Sequence, residues 1–200
     1  MAPTSNETSH SSAFPADDRA LPAIHLQLAP LGYSPRPQHA GDLPWLRALY
    51  ASRRAEELAT VPWADAIKRA FLNHQFALQY QHYLSHFPTA VFLAIQHPSV
   101  GPVGRLYLQR SAPHHLLIDI CLIPSLRQQG VGSALVRQCQ AQAAALGHGM
   151  SLHVQHQNTG AQRLYQRLGF RLAEHGDSRW LMVWPADDKP VTNSATSMAG

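Results

Sequence analysis

Apolar positions along the chain repeat with two different periods, and the period changes near residue 90. Asp42 is predicted to cap a first helix that has an apolar face, with Pro44 in the first turn, where the missing N–H of proline costs little. A second helix is predicted from Trp63 to Phe87, where apolar side chains recur along one stripe. A looser alternation over residues 24–31 predicts a strand that precedes both helices.

Beyond residue 90 the apolar runs are short and are separated by Gly and Pro, which is typical of strands. Two helices are predicted among them, over residues 130–146 and 158–168, and each is followed by a glycine. The predicted strands of this part cover residues 90–95, 103–109, 116–123, 150–154, 170–173 and 179–183. The element order βααβββαβαββ indicates an α/β (α+β) fold with a mixed sheet, not a doubly wound parallel sheet.

The chain has 200 residues, of which 45% are hydrophobic and 14% charged, so it predicts one domain with a sizeable core. Residues 1–24 and 186–200 are polar and lack periodicity, which predicts two flexible tails around a domain at 25–185. We expect neither a secretory signal nor a membrane span. Two cysteines, Cys121 and Cys139, predict free thiols and a cytoplasmic location.

The formal net charge is +4, and 14 of the 16 cationic side chains are arginines. A basic domain favours an anionic partner, but net charge alone does not choose between nucleic acid, membrane and a phosphorylated small molecule. The chain has no basic cluster interleaved with aromatic residues and almost no lysine, so we do not expect a nucleic-acid partner. We also expect no membrane partner.

The segment over residues 122–135 predicts the end of a strand, a loop and a helix that begins at Gly130 and Gly132. The first N–H groups of a helix lack internal acceptors and lie at the positive end of its dipole, so they can bind a phosphate. The same spacing also fits an ordinary helix start. A dinucleotide-binding fingerprint would need a glycine at Leu135, and a Walker loop would need a Gly-Lys-Ser/Thr triplet that the sequence lacks.

Two segments of this region resemble motifs of the GCN5-related N-acetyltransferase (GNAT) superfamily. Arg127-x-x-Gly130-x-Gly132, after Leu122-x-Pro124, resembles the acetyl-CoA-binding motif of that family. The segment over residues 158–170, Asn-Thr-Gly-Ala-Gln-Arg-Leu-Tyr-Gln-Arg-Leu-Gly-Phe, resembles its N-x-x-A-x-x-L-Y-x-x-x-G-F segment. The likeness covers roughly residues 26–185 and implies a mostly antiparallel mixed sheet with helices on both faces and splayed fourth and fifth strands.

The resemblance also implies an activity, namely direct transfer of an acetyl group from acetyl-CoA to a primary amine of a small molecule or peptide. A catalytically inactive acyl-CoA-binding regulatory module is the alternative that remains open. Family analogy further suggests a homodimer. No complete set of metal ligands accompanies the 13 histidines, so we predict no metal site.

The same resemblance assigns roles to individual residues. The backbone of Leu122 and Ile123 would bind the pantetheine arm, and Asn158 would lie on the opposite wall. Tyr165 would protonate the leaving thiolate, for which a phenol of pKa near ~10 is suited. The pyrophosphate would be held by the segment that contains Arg127, Gln128, Gln129, Gly130, Val131, Gly132 and Ser133.

The group that removes the proton from the amine is less clear from the sequence. Asp119 is the only carboxylate on its predicted strand and is a candidate catalytic base. Strand alternation also places it on the face opposite Leu122, where it would serve the fold instead; a histidine or water remains an alternative. The adjacent Glu56 and Glu57 fit either a cationic acceptor pocket or a solvated surface.

Overall fold

A computed structural model describes residues 28–185, which form a seven-stranded sheet in the order β1-β2-β3-β4-β5-β7-β6. All neighbouring strands are antiparallel except β4 and β5, which are parallel. The four α-helices within this range are α1 (Leu43–Ala59), α2 (Asp65–His86), α3 (Val131–Ala145) and α4 (Thr159–Arg167). The strands are β1 (Ser34–Pro37), β2 (Val91–His97), β3 (Gly101–Gln109), β4 (His114–Leu122), β5 (Gly149–Gln155), β6 (Arg171–His175) and β7 (Arg179–Trp184).

This order confirms the predicted βααβββαβαββ arrangement and the mostly antiparallel mixed sheet. The two predicted tails lie outside the described residues. None of the helices between residues 28 and 185 is long and apolar enough to cross a membrane.

The position of the first strand differs from the prediction. Residues 24–27 lie outside the described part of the chain, and Ala29–Leu31 form a short 3-10 helix. The strand is instead Ser34–Pro37, which among the described strands pairs only with β2 and is therefore the edge of the sheet there. An edge strand tolerates proline, which cannot donate a ladder hydrogen bond, so a Pro-containing segment without apolar alternation forms β1.

Asp42 precedes α1, as predicted, but its carboxylate does not cap that helix. It accepts hydrogen bonds from Arg36 at 2.6 and 2.7 Å, from the N–H of His39 at 2.9 Å and from the indole N–H of Trp45 at 2.8 Å. Burial alone would raise the pKa of Asp42, but these hydrogen bonds outweigh burial and lower its pKa to about 2. The network joins the edge strand to the beginning of α1.

The pKa of Asp42 predicts a pH-dependent contribution to stability. Because the folded-state pKa lies below the ordinary value of 3.8, the contribution is present above about pH 4 and is lost as the pH falls toward 2. Urea denaturation should show that Asp42→Asn lowers the free energy of unfolding by about 2 kcal/mol more at pH 6 than near pH 2. The exposed Asp65→Asn variant is the matched control for loss of one carboxylate, and its effect on the free energy of unfolding should change less between the two pH values. A loss for Asp42→Asn that is the same at pH 6 and near pH 2 would contradict the assignment.

Helices pack on both faces of the sheet, as the family resemblance implied. Leu93 of β2 belongs to the main core cluster together with Leu135 of α3. On the opposite face of β2, the ring of Phe92 lies 4.5 Å from that of Tyr107, which in turn lies 5.4 Å from Tyr83 of α2. Alternation along β2 thus separates two apolar layers, each covered by a helix.

The parallel strands β4 and β5 separate part-way along their length. They pair only where His114–Leu117 lies against Gly149–Leu152. Beyond that point β4 continues to Leu122 beside β3, and β5 continues to Gln155 beside β7. The sheet therefore has a wedge-shaped opening between the ends of its two central strands.

Gly104 of β3 is required by the close approach of β4 at this opening. A Cβ atom at residue 104 would lie 2.5 Å from the side chain of Leu122 and 2.7 Å from the carbonyl oxygen of Cys121. Any larger residue would displace the last residues of β4, so this glycine helps to set the shape of the wedge.

Candidate active site

A cleft of about 590 Å³ occupies the wedge and extends along the beginning of α3. One wall is the end of β4 and the loop that follows it, and the other is α4. The residues that line it are Arg53, Ile120, Cys121, Leu122, Leu126, Arg127, Gln128, Gly130, Gly132, Ser133, Asn158, Gly160, Ala161, Leu164, Tyr165 and Arg167.

The loop before α3 adopts a backbone conformation that exposes main-chain donors. Gly130 has a φ of +82°, in the left-handed region, and no atom lies within 4 Å of where its Cβ would be. Gln128 also has a positive φ, of 63°, which is uncommon for a non-glycine residue. Within residues 28–185, the N–H groups of Gly130, Val131, Gly132 and Ser133 have no hydrogen-bond acceptor. Main-chain donors at a helix N-terminus favour an anion there.

The side chains around this cleft carry positive charge. Arg53 comes from α1, Arg127 from the loop before α3 and Arg167 from the end of α4. No acidic side chain of the described residues lines the cleft. Its electrostatic environment therefore suits a ligand with several negative charges, such as a pyrophosphate.

Eight of the residues that the sequence assigned to cofactor binding or catalysis line this cleft. Four others do not, and one of these, Asp119, lines a neighbouring cleft instead. Ile123 donates its N–H to Val103 at 2.9 Å and packs against the core, Val131 is buried in the core, and the Gln129 side chain donates to the carbonyl of Ser125 at 2.7 Å. The eight that line the cleft are Leu122, Arg127, Gln128, Gly130, Gly132, Ser133, Asn158 and Tyr165.

Asn158 and Tyr165 are positioned by α4. The side chain of Asn158 caps this helix by accepting a hydrogen bond from the N–H of Ala161 at 3.2 Å. Two turns later Tyr165 is 7% exposed and packs edge-on against Phe170. Burial, and secondly the negative charge of Asp119, raise the pKa of Tyr165, whereas Arg53 opposes the shift. The phenol therefore remains protonated at neutral pH beside the cleft.

Asp119 lies in a smaller neighbouring cleft of about 140 Å³ that Tyr165 and Asn158 also line. Its carboxylate accepts hydrogen bonds from Arg105, whose Nε and Nη2 atoms lie 2.7 and 2.6 Å away. Arg105 is only 2% exposed and also donates to Gln79 of α2. Burial would lower the pKa of Arg105, but the charge of Asp119, together with smaller contributions from Tyr107, Cys121 and Tyr83, outweighs burial and raises the pKa. The pair is therefore a buried ion pair that joins β3, β4 and α2.

The smaller cleft continues into a third, of about 470 Å³, between α2 and the sheet. Tyr83 and Gln79 line both of these clefts, and Gln75 lines the third. Glu56 and Glu57 are exposed and line neither of them, and Glu57 instead pairs with Arg54 at 2.6 Å. Among the described residues no group of His, Cys, Asp and Glu is placed to hold a metal ion.

Comparison with known protein families identifies the architecture around this cleft. Residues 51–170 match the family model described as the acetyltransferase (GNAT) family. The chain belongs to the GNAT acetyltransferase family. No curated protein matches the sequence.

Solved GNAT structures share the fold at low sequence identity. The PaiA N-acetyltransferase from Thermoplasma acidophilum, in complex with coenzyme A, is 16% identical over 76% of this chain and 98% of that one, with a TM-score of 0.59. The ribosomal-protein-S18-alanine N-acetyltransferase from Escherichia coli is 20% identical over 84% and 96%, with a TM-score of 0.52. A chimera of the spermidine N-acetyltransferase SpeG from Vibrio cholerae and hSSAT is 17% identical over 78% and 96%, with a TM-score of 0.54.

Three arginines of this GNAT domain were missed by sequence reasoning. Arg53 lies on α1 and Arg105 on β3, far along the chain from the glycine motif, and no local pattern links them to it. Arg167 lies within the second motif, two residues after Tyr165, so its position at the end of a short helix could have been used to find it.

Proposed function

We propose that this GNAT protein transfers an acetyl group from acetyl-CoA directly to a primary amine. One observation carries the proposal: unpartnered main-chain donors at the beginning of α3 and the buried phenol of Tyr165 line the same cleft. The cleft opens where β4 and β5 separate, so a single elongated ligand can contact both.

The cleft fits coenzyme A by the chemistry of its lining. The N–H groups of Gly130 to Ser133 would hold the pyrophosphate. The side chains of Arg127 and Arg167, which line the same cleft, would add positive charge. No Cβ stands at Gly130 or Gly132 to keep a phosphate from the backbone. Leu122, which has no β5 partner, would offer its backbone to the pantetheine arm opposite Asn158. The amides of Gln129 and Val131 remain part of this proposed cradle, although their side chains point elsewhere.

When bound, acetyl-CoA supplies the activated acetyl thioester. Tyr165 would hold a proton on its phenolic oxygen and deliver it to the departing sulfur. Burial raises the pKa of this phenol, so the group is in its protonated form at neutral pH and has a hydrogen to donate. The amine would lose its proton to Asp119, either directly or through a water, since this carboxylate lines the adjoining cleft. Arg105 would fix the orientation of Asp119.

The role of Tyr165 predicts a separation of rate from binding. Tyr165→Phe should lower kcat about 10- to 100-fold, because the general acid is lost, while the dissociation constant for CoA stays within about 2-fold. Thiol-release assays measure kcat, and calorimetry measures the dissociation constant for CoA. Tyr33→Phe, at a half-buried tyrosine that lines none of the clefts described above, is the matched control and should retain full activity. An unaltered kcat in Tyr165→Phe would remove the phenol from the mechanism.

The overall function is tested by two measurements on the full chain. Calorimetry with CoA tests the cleft, and release of free thiol from acetyl-CoA across a panel of amines tests transfer. Binding together with amine-dependent thiol release supports the proposed enzyme. Binding without release for any amine would favour the acyl-CoA-binding regulatory module, and absence of CoA binding would overturn both.

A further inference from the structure

The two clefts beyond the CoA cleft are lined by cationic side chains. Arg53 lines the smaller of them, Arg54 the larger, and Arg179 both. Among the described residues that line these two clefts, Asp119 is the only acidic one. The space left for an acceptor is therefore rich in positive charge.

Ion pairing leaves part of that positive charge uncompensated. The carboxylate of Asp119 is held by the buried Arg105 and lies 3.9 Å from Arg53, which is too long for a good hydrogen bond. Arg54 is paired with Glu57. Arg179, the first residue of β7, has no ion-pair partner within residues 28–185.

Arg179 is held beside the site by the sheet. It pairs in register with Gln155 at the end of β5, and Gln155 lines the same smaller cleft as Asn158 and Tyr165. A guanidinium in this position can bind a carboxylate or a phosphate through two parallel hydrogen bonds. Arg53, which lines both the CoA cleft and the smaller cleft, adds a second positive charge.

We propose that the acceptor is a small amine that also carries an oxyanion, a carboxylate or a phosphate, and that Arg179 is the residue that binds this group, supported by Arg53. The inference rests on the proposed acetyl transfer and names its acceptor class. A polyamine is disfavoured, because a second ammonium group would be brought among these arginines without a free carboxylate to receive it.

The transfer step balances within this arrangement. The amine nitrogen forms the new bond to the acetyl carbon as the carbon–sulfur bond breaks. The proton of the amine passes to Asp119 or water, and the departing sulfur takes the proton of Tyr165. Arg179 takes no part in bond formation or proton transfer and acts as a specificity-determining residue.

Matched pairs of amines test the acceptor class. β-Alanine is compared with β-alaninamide, and phosphoethanolamine with ethanolamine, with spermidine as the polycationic case. Thiol release gives kcat/KM for each amine, and calorimetry on the CoA-saturated full chain gives their affinities independently of turnover. The variants are Arg179→Gln and, as a matched loss of one charge, Arg69→Gln on the exposed face of α2, which lines none of the clefts described here.

The expected result is at least a 10-fold preference for one or both oxyanion amines over their neutral partners. Arg179→Gln should raise KM for the preferred amine about 10-fold with little change in kcat, and Arg69→Gln should leave both unaltered. Which pair shows the preference decides between carboxylate and phosphate. Equal use of the paired amines, preference for spermidine, or an unchanged KM in Arg179→Gln would overturn the inference.

Calorimetry separates this result from failure of the proposed function. If CoA binds but no amine releases thiol, preferential binding of an oxyanion amine that depends on Arg179 still supports the assignment of Arg179 as the oxyanion-binding residue. Absence of such binding overturns it. Absence of CoA binding, in contrast, overturns the proposed enzyme itself.

Discussion

Gly130→Glu is expected to weaken CoA binding at least about 100-fold. The substitution places a side chain and a negative charge where the first N–H groups of α3 are exposed. It would both obstruct the proposed pyrophosphate position and repel the ligand. Isothermal titration calorimetry of CoA against the purified variant measures the effect.

Gly147 supplies a matched control at the other end of the same helix. It has a φ of +69°, and no atom lies within 4 Å of where its Cβ would be. Gly147→Glu thus imposes the same type of backbone strain and the same charge about 25 Å away along the helix axis. It should bind CoA as the unmodified protein does. Equal affinity in both variants would place the CoA site elsewhere, whereas equal loss would indicate a folding defect.

Asp119→Asn should destabilise the fold by about 3 to 5 kcal/mol. The variant leaves the guanidinium of Arg105, which is 2% exposed, without its negatively charged partner. Urea denaturation should show this loss, and the melting temperature should fall by roughly 10 °C for a domain of this size.

An exposed ion pair in the same molecule provides the comparison. Glu57→Gln removes the partner of Arg54, whose side chain is 33% exposed, and should cost less than about 1 kcal/mol. The double variant Asp119→Leu with Arg105→Leu should recover part of the stability, because no unpaired charge remains buried. A loss for Asp119→Asn no greater than that for Glu57→Gln would contradict the buried-pair interpretation.

The same Asp119 variant tests the proposed base. If Asp119 takes the amine proton, kcat/KM at a temperature where the variant is folded should fall about 100-fold or more, and the pH–rate profile should change shape because the proton acceptor is lost. If the carboxylate only orients neighbouring groups, the rate falls but the pH profile keeps its shape.

Local patterns were sufficient to predict most of the fold, because the apolar period and the Gly and Pro residues that end an element are properties of short segments. The apolar stripe along Asp65–His86 and the glycines after α3 and α4 predicted the ends of these three helices to within about two residues of the observed ends. The first strand was misplaced for a tertiary reason. Ser34–Pro37 has no strand-like alternation, and it is a strand only because the edge of β2 pairs with it.

The sequence by itself determined the order of elements, the family and the glycine-rich helix start, since each depends on residues close together along the chain. Only the tertiary structure decided which cations surround the site. Arg53, Arg105 and Arg179 come from three separate elements, and pairing of strands and packing of helices bring them to one cleft region. Charge compensation depends on distances in space: Asp119 is held by Arg105, while Arg179 keeps no such partner among residues 28–185.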